Sequence, residues 1–426
     1  MNNIKKAGIL STLFMGLGQF YNKEWFKGII YALIEVIFIV NALNGSLYMT
    51  FWGLITLGET KGVKGDHSIN LLINSLMAII VLGLFVLVYF INIKDAKEAR
   101  KRIEAGEKAE SIKGTLVRLN TTYFPHVMMA PGALLILFFT FLPILFTTLI
   151  AFTNFAAPYH LPPGNLVDWV GFENFVKLVT LPGWKETFFG VFGWTLVWTV
   201  ATTVLNYFGG LGLALLTNSK DIKFKKLWRT LFIVPYAIPA FISLLTFRLI
   251  LSGPGPLNST LLQFGWISEK IPFLTDPTLA KIVVIVVYMW AGSPYWMALM
   301  SGILTNIDAS LYEASDIDGA SKWQQFTKIT VPMVLFQTAP LLIMTFAHNF
   351  NNFGMIYLLN SGNPANPVYK QAGSTDILIS WIYKMTLEKQ WYGMAAAVTI
   401  VIFLIVATFA VIGFTQTKSF KEEDMI

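Results

Sequence analysis

The sequence predicts an all-α polytopic membrane protein, and three observations support that prediction. Hydrophobic residues make up 55% of the 426 residues and charged residues only 13%, about half the charged fraction of an average soluble domain. The mean hydropathy is +0.61. Apolar runs of the roughly 20 residues that a spanning helix needs recur along the chain.

Eight apolar runs are expected to cross the membrane. Six form the C-terminal part, near 127–152, 187–216, 229–251, 278–300, 333–360 and 391–415, and two more lie near 27–43 and 68–92. A ninth run, Ala7–Phe20, is short and broken by glycines, so it is expected to be re-entrant, interfacial or spanning. A signal peptide is disfavoured because no small-x-small cleavage site follows that run.

These runs predict three parts of the chain. Residues 1–92 form an N-terminal membrane extension, 93–126 a basic linker with helical character, and 127–426 a core of six spans. Basic residues are dense in 93–126 and 217–229 but sparse in 153–186. The positive-inside rule therefore places 93–126, 217–229, the 301–332 loop and the C-terminal tail in the cytoplasm.

Composition also excludes several kinds of chemistry. The chain has 31 Lys and Arg against 24 Asp and Glu, a net charge of +7, which in a membrane protein points to cytoplasmic loops before nucleic acid. It has no cysteine, which excludes disulfides, thiol nucleophiles and cysteine-bound metals, and its four histidines are scattered. No phosphate-binding P-loop motif occurs, so any ATP must be hydrolysed by another chain.

A polar stretch, Leu311–Pro332, lies between two apolar runs and predicts two short helices. Ser310 with Glu313, and Ser321 with Gln324, have the spacing of capping boxes. The Asp318-Gly319 pair predicts a turn between the helices, and Pro332 is expected to end the second helix as the next span begins. A helix–turn–helix at a membrane surface is expected to be bound by another protein.

A polar stripe marks one face of the span at 333–360. Its members, three or four residues apart, are Thr345, His348, Asn349 and Asn352. Polar groups in a bilayer are costly unless they face protein or water. Because the stripe has amides and hydroxyls beside aromatic rings, and neither Arg nor Lys, it suits a neutral polyhydroxylated ligand. The alternative is hydrogen bonding between helices.

Two segments contain helix-breaking residues. Gly292 and Pro294, in the segment Trp290–Tyr295, predict a broken helix near mid-membrane that carries Tyr295 into a cavity. A plain proline kink is the alternative. The segment Pro235–Pro239 predicts a rigid, locally unwound start to its span, either a gate hinge or a kink.

The polar stretch resembles a known motif of ABC-importer permeases, the EAA motif that docks on the ATPase subunit. The matching residues are Glu313-Ala314-Ser315, Gly319, Ile329 and Pro332. Together with Pro235–Ser243, the Trp290–Tyr295 segment and Asn349–Phe353, it is similar in order and spacing to the maltose/maltodextrin MalF family of permeases, over about 127–420. The large extracytoplasmic insertion of enterobacterial members is absent, as in the shorter Gram-positive permeases.

The resemblance implies a six-helix type I ABC-importer core with about two or three extra N-terminal membrane segments. It implies a substrate site at Gly292, Tyr295, Thr345, His348, Asn349 and Asn352. It also implies a coupling loop at 306–332 in which Glu313, Ala314, Ser315, Asp318, Gly319, Ile329 and Pro332 contact the ATPase. The chain departs from the family at Ser315, at Thr345, where Ser is usual, and at His348, where Phe is usual.

The implied partners are a second, MalG-like permease, a dimer of the ABC ATPase and an extracellular lipid-anchored sugar-binding protein. Maltose or a maltodextrin would be the substrate, and the chain would be no enzyme, because ATP is used by the partner subunit. No cofactor, metal or nucleic acid is expected, and the protein is placed in the cell membrane with a cytoplasmic C-terminus.

Other classes of protein predict different features. A permease for another neutral oligosaccharide would share all the features above. An ion-coupled secondary transporter would carry intramembrane carboxylates and repeat symmetry, whereas this chain has an isolated Glu35 and no visible repeat. We expect Glu35 to pair with a group on another helix. A membrane scaffold without transport would not explain both the polar stripe and the broken helix.

Overall fold

The computed structural model describes residues 3–62, 64–219 and 222–416. In these residues helices dominate, and pairing between extended segments is limited to isolated bridges. Among the described residues, seven helices are long and apolar enough to cross a membrane, or eight if one bent pair is counted as a span. The prediction of an all-α polytopic membrane protein is confirmed. The predicted tail beyond residue 416 and Lys220 lie outside the described residues.

The chain forms two compact units that divide after Gly171. The first unit contains eight helices: α1 Asn3–Leu13, α2 Leu17–Tyr21, α3 Trp25–Leu43, α4 Ser46–Thr56, α5 Ser68–Glu104, α6 Ile112–Asn120, α7 Phe124–Ile136 and α8 Leu142–Ile150. A π-helical turn joins α7 and α8 into one 27-residue span. The division into extension, linker and core stays a prediction, although α5 runs without interruption past residue 92.

The second unit contains α9 Glu173–Thr180, α10 Trp184–Asn218, α11 Lys225–Ala237, α12 Ala240–Ile250, α13 Pro256–Gln263, α14 Pro277–Thr305, α15 Ala309–Ile317, α16 Lys322–Gln325, α17 Val331–Phe350, α18 Phe353–Asn360, α19 Leu378–Tyr383 and α20 Tyr392–Gln416. Each of the eight predicted spans overlaps one of the long helices or the bent pair α11–α12, but the span predicted at 333–360 is interrupted after Phe350.

The run Ala7–Phe20 folds as two short helices, α1 and α2, of 11 and 5 residues. Neither is long enough to cross a bilayer. Glu35 has the partner that a buried acid needs, since its carboxylate accepts a hydrogen bond from the Met15 N–H. The Asn92 side chain accepts from the Gly16 N–H at 3.2 Å and donates to the Ser11 carbonyl at 3.1 Å. The glycine-containing segment therefore fastens α1 and α2 to α5.

The prediction that the helix breaks within Trp290–Tyr295 is wrong. Helix α14 runs from Pro277 to Thr305 with Pro294 inside it. The physical reason is its packing on α10: a methyl group added at Gly210 would lie 2.3 Å from Trp296 Cβ, so the two backbones are in close contact. That contact holds α14 helical although Pro294 removes one hydrogen bond.

The prediction that Pro332 ends a helix is also wrong. The chain is helical from Lys322 to Phe350, and Pro332 lies in the first turn of α17. A π-helical turn at Phe326–Thr330 precedes it. Because a π turn is wider than an α turn, it accommodates the proline ring and its missing N–H.

Candidate substrate cavity and coupling loop

A cavity of about 540 Å³ opens in the second unit where three helical segments meet. They are the bend between α11 and α12, the middle of α14, and the junction of α17 and α18. The lining residues are Pro235, Tyr236, Ala237, Ile238, Pro239, Ala240, Ser243, Leu244, Val287, Tyr288, Trp290, Ala291, His348, Asn352, Gly354, Met355 and Leu358. The three segments singled out from the sequence thus meet at one place.

The wall formed by α11 and α12 is bent by 90°. Ile238 is extended, with φ −84° and ψ 132°, and ends α11. Pro239 then precedes α12 at φ −52° and ψ 125°. The predicted unwinding at Pro235–Pro239 is therefore confirmed, and it exposes residues 235–240 to the cavity.

A helix break lies on the opposite wall, between Phe350 and Phe353. The carbonyl of Asn349 accepts a hydrogen bond from the Trp198 indole N–H at 3.0 Å. The Asn352 side chain accepts from the Met355 N–H at 3.3 Å and caps α18. Side chains thus supplement the main-chain hydrogen bonds at the break, as is expected of Asn at a cap.

Asn349 is fully buried beside the cavity rather than in its lining. Its amide nitrogen donates to Thr203 Oγ1 at 2.9 Å, and its amide oxygen accepts from the Tyr288 hydroxyl at 2.6 Å. These bonds connect α17 to α10 and α14. For this one residue the geometry favours the alternative drawn from the sequence, hydrogen bonding between helices.

Of the six predicted substrate residues, His348 and Asn352 line the cavity. Tyr295 lies next to it, because its ring centroid is 6.0 Å from that of the lining residue Tyr236. Gly292 faces α10, since an added methyl group would lie 2.8 Å from Asn206 Oδ1. Thr345 donates to the Leu341 carbonyl at 2.8 Å, one turn earlier in its own helix. The substrate-binding role of the six stays a prediction.

Sequence reasoning missed three aromatic lining residues, Tyr236, Tyr288 and Trp290. Tyr288 had a usable signal, because it precedes Tyr295 by seven residues and so shares its face of a helix. Trp290 packs edge-on against Phe247 of α12, with ring centroids 5.0 Å apart.

The residues that line the cavity suit the neutral, polyhydroxylated ligand expected from the polar stripe. Among the described lining residues there is no Asp, Glu, Lys or Arg, and the polar groups are hydroxyls, an amide and one imidazole. Aromatic rings stand beside them. Such a surface offers hydrogen bonds and ring faces to a neutral ligand without presenting a formal countercharge.

The polar loop at 306–332 folds as the predicted helix–turn–helix, with a second correction besides that at Pro332. The first helix, α15, is capped by Asp308, which accepts from the Ser310 N–H at 2.9 Å, so the predicted Ser310–Glu313 capping box is wrong. A carboxylate is the stronger cap because it also interacts with the helix dipole. The same hydrogen bond lowers the pKa of Asp308. The Ser321–Gln324 capping box is confirmed.

Gly319 makes the predicted turn. Its φ of +73° lies in the left-handed region, where glycine carries no steric penalty. Its N–H donates to the Asp316 carbonyl at 3.2 Å, and the Ala320 N–H donates to the Ser315 carbonyl at 2.9 Å. The two helices are therefore joined by a short and well-defined connection.

Gln325 holds the two helices of the loop together from a buried position. Its amide nitrogen donates to Ser315 Oγ and to Asp316 Oδ1, each at 2.7 Å. Lys322 Nζ lies 3.1 Å from Asp316 Oδ1. Hydrogen bonds from Lys322 and Gln325 lower the pKa of the Asp316 carboxyl. Ser315, the departure from the usual motif, is thus part of the network that fixes the loop.

One surface of the loop is exposed. Glu313, Ala314, Asp318 and Gly319 are exposed, and Ile317 and Trp323 are 88% and 70% exposed. A depression of about 300 Å³ lies at the turn. Its lining residues are Ser315, Asp318, Gly319, Ala320, Gln324, Gln325, Lys328 and Ile329. Large apolar side chains exposed on a polar loop are typical of a binding surface.

A polytopic helical membrane protein with a bent-helix cavity and an exposed two-helix loop has the features of a transport permease. The family of binding-protein-dependent transport system inner membrane components matches residues 207–417. A galactooligosaccharide transport permease, GanP of Bacillus subtilis (strain 168), is 40% identical over 98% of this chain and 99% of its own length. The maltodextrin permease MalC of Streptococcus pneumoniae serotype 4 is 39% identical, over 99% of this chain and 97% of its own.

A solved structure extends the comparison to the fold. One chain of a bacterial ABC transporter that imports alginate superposes with a TM-score of 0.58, at 22% identity, over 72% of this chain and 98% of that chain. The protein belongs to the MalF-type family of binding-protein-dependent ABC sugar permeases. It therefore has the type I importer fold with additional N-terminal helices, and it is a multi-pass membrane protein.

Proposed function

We propose that this chain is the permease subunit of an ATP-driven importer for maltose and maltodextrins. It pairs with a second, MalG-like permease and receives sugar from an extracellular binding protein. ATP is hydrolysed by a dimer of ATPase subunits that bind the loop 306–332 on the cytoplasmic side, where the positive-inside rule also places the C-terminus. Closure of the ATPase dimer moves the loop, and the helices joined to it switch the cavity between the two faces.

The observation that carries this proposal is the cavity between α12, α14 and α17–α18, whose described lining contains no Asp, Glu, Lys or Arg. In it, His348 and Asn352 supply polar groups, and Tyr236, Tyr288 and Trp290 supply ring faces. A sugar offers hydroxyls to the first and apolar ring faces to the second. A weak neutral site also suits a permease, which must release its cargo.

The relatives alone do not identify the transported sugar, because GanP and MalC are similar to this chain to almost the same degree, at 40% and 39% identity. We therefore expect uptake of labelled maltotriose in cells that carry this chain as the sole permease copy, with competition by unlabelled maltodextrin and weak competition by galactooligosaccharide. Stronger competition by galactooligosaccharide would assign the alternative substrate. Uptake that collapses with an uncoupler while ATP is maintained would contradict the ABC mechanism.

The docking role of the loop is tested at Gly319, with a matched control in the same chain. Gly319 and Gly265 both follow a helix end, at φ +73° and +68°, and both have open space around them. We expect Gly319→Pro to abolish uptake and recovery of the ATPase on purification, and Gly265→Pro to spare the recovery. If the Gly319→Pro variant retains both sugar uptake and recovery of the ATPase, the loop is not the docking element.

A further inference from the structure

Two cavities lie between α3 and α5 in the first unit. One, of about 620 Å³, is at the basic end of these helices and includes Tyr31, Lys94, Asp95 and Arg118 in its lining. The other, of about 580 Å³, lies further along the same helices and includes Phe38 and Val81. The first is charged and aromatic, whereas the second is almost entirely apolar.

The residues of α3 that line the two cavities form one continuous face. They are Phe26, Lys27, Ile30, Tyr31, Ile34, Ile37, Phe38 and Asn41, each three or four residues from another member of the set. The α5 residues follow the same spacing, from Met77 through Val88 to Asp95. The two cavities are therefore consecutive parts of one groove, which we call the α3–α5 groove. Fifteen residues of helix give it a length of about 22 Å.

That length matches a lipid in one leaflet. Half of a bilayer core is about 15 Å thick, and a head group occupies several ångströms beyond it. The groove also has the polarity of a lipid, with a charged end followed by an apolar slot. Because α3 and α5 are long and apolar enough to span a membrane, the occupant of the apolar part of the groove lies in the bilayer.

The charges at the polar end indicate which head group fits. Two of the three lining acids are paired with Lys27, whose Nζ lies 3.1 Å from Asp95 Oδ1 and 2.6 Å from Glu110 Oε2. The third, Glu98, lies 3.9 Å from Lys94. Arg118 contacts Glu110 Oε1 through its Nε at 3.0 Å, and in the described contacts its two terminal nitrogens have no partner. Lys94 is 79% exposed with a single partner at 3.9 Å. Cationic donors therefore remain available on this wall, together with His126.

We infer that the α3–α5 groove binds one glycerophospholipid, with its phosphate at Arg118, Lys94 and His126 and an acyl chain in the slot along Ile34 and Val81. The phosphate completes the hydrogen bonding of the guanidinium, and the chain fills the apolar slot. Bound in this way, the lipid links α3 and α5 to α6, which carries Arg118.

The experiment uses the full chain, purified in detergent and washed to remove loose lipid. Native mass spectrometry should find one phospholipid retained per chain. Val81→Trp, which fills the slot without touching the ion pairs, should reduce retention at least fivefold, whereas Ile79→Trp, a neighbour on α5 outside the lining, should not. Arg118→Gln should reduce retention similarly, with Lys113→Gln on the same helix as its charge-matched control.

A second arm separates a lipid from a free phosphate. Phosphatidylglycerol vesicles should raise the Tm of delipidated protein by several degrees, and soluble glycerol phosphate should not. An equal effect of both would show a phosphate site without a lipid slot and would overturn the inference. Wild-type protein that retains no lipid, or equal retention in Val81→Trp and Ile79→Trp, would also overturn it.

Discussion

Two segments of the second unit have structures opposite to those that their sequences predict. The segment Trp290–Tyr295 contains Gly and Pro, yet α14 passes through it without a break. The segment Asn349–Phe353 contains neither, yet the helix ends there and a new helix begins. The difference teaches that neighbouring helices decide where a membrane helix unwinds, because every main-chain group must find a partner.

At Trp290–Tyr295 the neighbour holds the helix in place. Gly292 and Ser293 contact the Asn206 side chain of α10, with Ser293 Oγ 3.3 Å from Asn206 Oδ1. At Asn349–Phe353 the neighbour adds a hydrogen bond at the break, because the Trp198 indole donates to the Asn349 carbonyl, which also accepts from the Asn352 N–H. Partners outside the segment explain both outcomes.

The largest effect is expected for Asn349→Leu. The substitution leaves Thr203 and Tyr288 without their amide partner in the interior, at about 1–3 kcal/mol for each unsatisfied group. We expect a fall in Tm of several degrees, with loss of uptake and of membrane abundance together. Normal abundance with lost uptake would instead make Asn349 a direct sugar ligand.

A smaller effect is expected for Gly210→Ala, which tests the contact that keeps α14 helical. Its added methyl group meets Trp296 Cβ at 2.3 Å, so the helices must separate, at about 1–3 kcal/mol. Gly212→Ala, on the same helix with open space around it, should leave the Tm unchanged or raise it slightly. Equal Tm values for the two variants would contradict the account of α14.

Asn352→Ala should cost about 1 kcal/mol, because it removes the cap of α18. Asn352→Ser keeps a capping oxygen and should restore the Tm. Since the amide would still be absent, uptake should stay low in both variants. Recovery of uptake along with the Tm would assign Asn352 to capping alone. Thermal melts and transport assays on the same preparations measure both quantities.

The smallest effect is expected for Pro294→Ala. The substitution adds one N–H to a helix that is already continuous, so the Tm should change by no more than a few degrees and uptake should persist. A large loss of uptake at unchanged Tm would show that Pro294 is a hinge, as a broken helix at this segment would require. Uptake and thermal melts of the purified variant decide between the two.

Much of the fold is predictable from the sequence, because apolar length is a direct consequence of bilayer thickness. The bend at Pro235–Pro239 and the turn at Gly319 were also predictable, since proline and glycine act on their own backbone. The break after Phe350 was not, because it depends on Trp198, 151 residues away in sequence from Asn349. An Asn-rich segment within a helix was the available signal.

The candidate site was predictable to a similar extent. Polar spacing identified His348 and Asn352, which line the cavity, but it could not distinguish them from Asn349, which faces Thr203. The spacing of polar residues shows which of them share a helical face. It does not show which residues of neighbouring helices cover that face. Likewise Asp308 and not Ser310 is the helix cap, because the sequence offers two capping residues two positions apart.

The central claim is that sugar binds in the cavity beside the α17–α18 break, and His348 tests it most directly. His348 lines the cavity, while Met344, one turn earlier, is 60% exposed and outside the lining. We would measure the concentration dependence of maltotriose uptake for His348→Ala and Met344→Ala in proteoliposomes with the ATPase and the binding protein. The account predicts at least a fivefold fall in maltotriose uptake for His348→Ala and no fall for Met344→Ala, with the Tm of both variants unchanged. Equal uptake by both variants would contradict it.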